Sequence, residues 1–141
     1  MMKKTLAILF ATAWLAVTGW NQVVSAQECK IDKHTPIPNL NGLSYHRARA
    51  RLIAAGWQPY QTISNVPTQQ EANLIQYGNG EVFWKRGYRE LENCLGTGDA
   101  ACTFLFADVY KNRLRVITAG EESAKDKVYA SVTRWSFVCS Q

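Results

Sequence analysis

Apolar and polar positions follow three different rhythms along this chain. Residues 5–20 form an almost unbroken apolar run behind Lys3 and Lys4, fading at Gly19 and Asn21 and followed by Val24-Ser25-Ala26. A basic start, an apolar middle and a small-residue end predict a secretory signal peptide, cleaved after Ala26. The alternative, an uncleaved anchor, needs roughly 20 apolar residues to cross a bilayer, more than this run supplies. The chain then divides into a signal peptide, 1–26, and a single extracytoplasmic domain, 27–141.

The second rhythm is helical. Pro36 and Pro38 impose an extended approach, after which Tyr45, Ala48, Leu52 and Ala55 fall within one arc at about 100° per residue. Ser44 is a good N-cap and Gly56 a good left-handed terminator, so a helix is predicted over 44–55. Arg49 and Arg51 lie at the flanks of the apolar arc and Arg47 points away from it, which leaves all three arginines free to reach water. Further on, Thr68 and Glu71 have the spacing of a capping box. They predict a short helix over 69–77, ended by Gly78-Asn79-Gly80; a strand over 74–77 is the alternative, because the apolar residues there are too few to set a period.

The third rhythm has a period of two. Residues 87–94, then Phe104, Phe106 and Val109, then Leu114, Val116 and Ile117 after the polar turn Lys111-Asn112, read as successive strands. In the last run, Tyr129, Ser131, Thr133, Trp135, Phe137 and Cys139 are predicted to share one face, and Val128, Ala130, Val132, Arg134, Ser136 and Val138 the other. The architecture predicted is α+β, with one or two N-terminal helices packed on a four-stranded antiparallel sheet. The polar stretch 119–127 reads as a mobile connection.

All four cysteines, Cys29, Cys94, Cys102 and Cys139, follow the predicted cleavage point. An even count in a small exported domain predicts disulfides rather than free thiols. Four cysteines allow three pairings. Cys94 and Cys102 flank a loop of small residues suited to reversing the chain, which favours bonding them to each other and leaves Cys29 with Cys139. Ala26-Gln27-Glu28 before Cys29 lacks the small or aliphatic residues that lipidation requires. No C-x-x-C occurs, and His34 and His46 have no ligand partner at helical spacing, so neither a metal site nor a redox motif is indicated.

Charge narrows the partners. The formal net charge is +5, and loss of Lys3 and Lys4 reduces it to +3. That is too small and too dispersed for a nucleic-acid surface. Nothing calls for a cofactor, and after cleavage no membrane span remains.

Residues 37–44, Ile-Pro-Asn-Leu-Asn-Gly-Leu-Ser, with Ala48, Leu52 and Ala54-Ala55-Gly56-Trp57 after them, resemble the opening of a PASTA repeat. The resemblance covers 37–62. It implies a strand–helix–strand start and membership among extracytoplasmic binding modules, some of which are associated with cell-wall recognition. The chain departs from that pattern at Arg47, where an acidic residue is usual, and after Ile63, where the repeat does not continue.

Catalytic patterns are missing. No G-x-S-x-G, H-E-x-x-H or phosphate-loop motif occurs. Glu90 and Glu92 are predicted to share a strand face, where they could act as an acid–base pair, although pairing with cross-strand Lys or Arg is the stronger expectation. Gly96-Thr97-Gly98 reads as a hairpin loop. Among the many rings, Trp84 beside Lys85 and Arg86 is the candidate binding anchor, since it joins apolar area to fixed positive charge. The function indicated is an exported, disulfide-stabilised binding or interaction module of the bacterial envelope, its partner an envelope protein or a cell-wall component. An inhibitor or immunity-type protein that blocks a periplasmic or secreted enzyme is the alternative.

Overall fold

The computed structural model describes residues 29 and 31–139; the predicted signal peptide, 1–26, lies outside the described residues. The chain forms α1 (Tyr45–Ala55), β1 (Gln58–Pro59), α2 (Gln69–Ile75), α3 (Gly80–Lys85), β2 (Leu91–Cys94), β3 (Cys102–Ala107), β4 (Arg113–Ala119) and β5 (Ser131–Val138). The fold is α+β, and every strand pairing in the sheet is antiparallel.

α1 forms where the apolar arc predicts it. Tyr45, Ala48 and Leu52 are buried, and Gly56 ends the helix at φ 105°, its amide donating to the carbonyls of Ile53 and Leu52. α2 begins on its capping box: the Thr68 hydroxyl accepts from the Glu71 amide at 3.2 Å, and the Glu71 carboxylate accepts from the Thr68 amide at 2.8 Å. It ends at Ile75, earlier than the predicted 77. Gly80 then starts an unforeseen helix, α3. A Cβ at Gly80 would lie 2.1 Å from the Ile75 carbonyl oxygen, so only glycine lets α3 begin so close to the end of α2.

The sheet has five strands rather than four. β4 lies between β3 and β5, while β1 and β2 share the other edge of β3: Cys94 is opposite Cys102, and Gln58 is opposite Ala107. β1 is only two residues long and carries Pro59, which an edge position tolerates. The predicted strand over 87–94 shrinks to Leu91–Cys94, because Gly87 at φ 82° and the Tyr88 amide donating to the Phe83 carbonyl turn the chain out of α3. The helices are also not all at the start, since β1 separates α1 from α2 and α3.

Burial alternates along β4, with Leu114, Val116 and Thr118 inside. β5 breaks the alternation. Ile117 pairs with Arg134 and Thr118 with Val132, so Thr133 is an extra, bulged residue. The bulge lets Ala130 and Val132 on one side of it, and Trp135 and Phe137 on the other, all pack towards the core, which corrects the single unbroken alternation expected for this run.

Tyr45 of α1 stacks on Phe104 of β3 with ring centroids 3.6 Å apart, and Phe83 of α3 meets both rings edge-on. Two disulfides join Cys29 to Cys139 and Cys94 to Cys102, across 110 and 8 residues of chain, so no cysteine is free. The Asp108 carboxylate fastens the segment before α1 to the β3–β4 turn, accepting from the amides of Thr35, Tyr110 and Asn112 and from the Asn112 side chain. Burial opposes its charge, yet these hydrogen bonds hold it below the usual carboxylate range.

Candidate functional site

Antiparallel pairing of the entry to α1 with the start of β5 creates the site. Gly42 donates to the Val132 carbonyl, Val132 to that of Leu43 and Tyr45 to that of Ala130. These bonds bring His46, on the face of α1 away from the apolar arc, against the loop before β5. There Nε2 of His46 lies 2.6 Å from Oε1 of Glu122, and Nδ1 lies 2.8 Å from the Tyr88 hydroxyl. Ionised Glu122 can only accept, so Nε2 carries a proton; in the neutral ring, Nδ1 then accepts from Tyr88.

Glu122 is itself held. Its side chain is fully buried, its Oε2 accepts from the Ala130 amide at 3.0 Å, and its own amide donates to Asn79 at 2.9 Å. Asn79 donates in turn to the Gly120 carbonyl at 2.7 Å. Residues 119–127, expected to be mobile, are therefore pinned through Glu122, a contact to which hydrophobic patterning is blind.

Behind His46 stands a second polar group. Oε1 of Glu90 accepts from the Tyr45 hydroxyl at 2.7 Å and from Nε of Arg49 at 2.6 Å, while Oε2 has no partner and the residue is wholly buried. The Arg49 guanidinium also lies 4.5 Å from the centroid of the Tyr88 ring. Burial pushes the Tyr45 hydroxyl well above its ordinary value, and Glu90 adds to the shift. For Arg49, burial works against the charge, but Glu90 more than compensates and the guanidinium is held above its ordinary value. The expectation that Arg49 simply faces water is thus corrected.

His46 borders a cleft of about 600 Å³, together with Gly42, Leu43, Ser44, Arg47, Arg86 and Tyr129. The Tyr129 ring stands edge-on to the imidazole at 5.5 Å. A second depression, of about 490 Å³, lies between the 94–102 hairpin and the Gly120 loop; Gly96-Thr97-Gly98 borders it as part of that hairpin.

The predicted anchor does not assemble. Trp84, Lys85 and Arg86 lie at the end of α3, where about 100° per residue spreads consecutive side chains around the axis. Trp84 is half-buried against the core, and the cation over its ring is Arg89, at 4.0 Å, rather than either neighbour in sequence. Lys85 pairs with Glu81 at 2.6 Å along the helix. Arg86 alone of the three reaches the cleft. Nor do Glu90 and Glu92 share a face. The bulge between Leu91 and Asn93 separates them, so that Glu90 turns to α1 while Glu92 takes two hydrogen bonds, 2.8 and 3.1 Å, from Arg115 of β4. Cross-strand pairing with arginine thus holds for Glu92, although β3 lies between the partners.

Among the described residues no group of three His, Cys, Asp or Glu is placed to hold a metal, and no helix is long and apolar enough to cross a membrane. The chain matches no family model, no curated protein and no solved structure with which it was compared.

Proposed function

We propose that this chain is an exported, disulfide-stabilised interaction module of the bacterial envelope, acting by binding through the cleft between α1 and the end of α3. The observation that carries the reading is the pairing of all four cysteines into two disulfides, which suits an oxidising compartment. The leader-like residues 1–26 and the PASTA-like stretch 37–62 support the same location. The cleft supports binding because it places an aromatic ring, a hydroxyl and two arginines at one opening.

Expression of the full chain in a bacterium, followed by fractionation and intact-mass measurement with alkylation, tests export. The expected product is a periplasmic or secreted species beginning at Gln27 that takes up alkylating reagent only after reduction. Cytosolic retention, or reagent uptake by the denatured but unreduced protein, refutes the reading. Sedimentation with purified peptidoglycan and pull-down from an envelope extract identify the partner class. A stoichiometric complex with an enzyme favours the inhibitor or immunity role.

A further inference from the structure

Arg47 and Arg86 reach one cleft from different elements, α1 and the residue that caps α3. Among the described residues neither has an ion pair or a side-chain hydrogen bond. Most other arginines are answered: Arg49 by Glu90, Arg115 by Glu92, Arg89 by the Trp84 ring, Arg113 by the Tyr60 ring and Arg51 by the Asn39 carbonyl. No carboxylate lines the cleft, and among the described residues none is within ion-pair distance of either arginine. Both His46 nitrogens are engaged. The imidazole therefore offers the cleft a ring and no free donor.

Ser44 adds a further uncommitted group. Its hydroxyl caps no amide of α1 and makes no other hydrogen bond among the described residues, yet it opens on the same cleft. Tyr129, 42% exposed, forms an aromatic wall. Two unanswered guanidiniums and a free hydroxyl beside a ring match a planar or tetrahedral oxyanion, which guanidinium forks bind bidentately. We propose that the cleft binds the carboxylate or phosphate group of a small or chain-end ligand, with Arg47 and Arg86 supplying the charge, Ser44 a neutral hydrogen bond, and Tyr129 contact with the remainder of the ligand.

This inference rests on reading the chain as a binding module, but its test is separate from the test of export. The oxidised protein is titrated at pH 7 and low salt with inorganic phosphate, acetyl-alanine and acetyl-alaninamide, and followed by amide NMR. Saturable shifts confined to Ser44, Arg47, Arg86 and Tyr129 are expected with phosphate, acetyl-alanine or both, with a Kd on the order of 1 mM. The oxyanion that binds more tightly names the source. Acetyl-alaninamide should not bind. Arg47→Gln and Arg86→Gln should each weaken binding by at least about fivefold, the loss of one charge-assisted contact, while Arg134→Gln, an exposed arginine on β5, should leave it unchanged; retained spectral dispersion verifies folding. Absence of saturable shifts with either anion, equal binding of the amide, or undiminished binding in both cleft variants overturns the inference. An exported protein without oxyanion binding defeats this inference alone, and a cytosolic protein with it defeats the proposed location alone.

Discussion

Replacing Arg49 with Met should destabilise this domain by about 3 kcal/mol, even though Arg49 lies at the edge of the core. Glu90 is fully buried, both donors bond to its Oε1, and its Oε2 has no partner. Arg49 is the cation paired with it, and its side chain keeps 25% exposure. Removing one member of a buried ion pair costs about 3–5 kcal/mol, because it strands the other charge; water at Arg49 places this pair at the low end. Met preserves most of the apolar stem, so the loss reports the charge rather than packing. The companion variant Arg49→Met with Glu90→Gln removes the stranded charge while keeping an acceptor for Tyr45. It should recover about half of the loss, the remainder reflecting a buried amide with unmade hydrogen bonds. Urea unfolding followed by far-UV circular dichroism at pH 7, with disulfides intact, measures both. A midpoint drop on the order of 10 °C or more should accompany the single change in a thermal scan. If Arg49→Met stays within about 1 kcal/mol of wild type, or the double variant is less stable than the single, stranding of a buried charge is the wrong account.

The disulfides should differ in weight: with sequence separations of 110 and 8, the chain-entropy model assigns about 5 kcal/mol to Cys29–Cys139 and about 2.5 kcal/mol to Cys94–Cys102. Thermal scans of the two double-alanine variants check the order, and equal losses refute it. Glu71 should titrate near pH 2, because the Thr68 amide and then the hydroxyl and amide of Ser64 favour its charged form, lowering it from 4.5 to about 2. Its stabilising effect is therefore complete above the ordinary carboxylate range and fades as pH falls towards 2; NMR titration should also find the midpoint raised in Ser64→Ala, and an ordinary midpoint in wild type overturns the assignment. Trp84→Ala should destabilise by about 2 kcal/mol through lost packing and the lost Arg89 contact, whereas Lys85→Ala should stay within about 0.5 kcal/mol. An unchanged melting temperature in Trp84→Ala would return Trp84 to the surface.

What was legible in the sequence was local. Ser44 to Gly56 encodes a helix through its arc and its terminator, Thr68 and Glu71 encode a start through reciprocal hydrogen bonds, and Cys94 and Cys102 are close enough in sequence for their loop to dictate the bond. The bulges defeated face assignment, since one extra residue at Thr133, or between Leu91 and Asn93, reverses every side chain beyond it. The candidate site depended on distance: His46 and Glu122 are 76 positions apart and meet only because β5 pairs with the entry to α1. The one clue was negative, a histidine set off the apolar arc without a local partner. Trp84, Lys85 and Arg86 are adjacent in sequence yet have different surroundings, because a helix spreads consecutive side chains around its axis.

The bond between Cys29 and Cys139 turns residues 29–139 into a covalent ring. A single nick anywhere inside that ring opens it without dividing the molecule. The exposed residues Lys125 and Lys127, in the loop bridged between Ser123 and Val128, offer trypsin such a point. Under denaturing conditions a chain cut there should travel as one species until a reductant is added and only then part into two, its new ends far in sequence from the old ones.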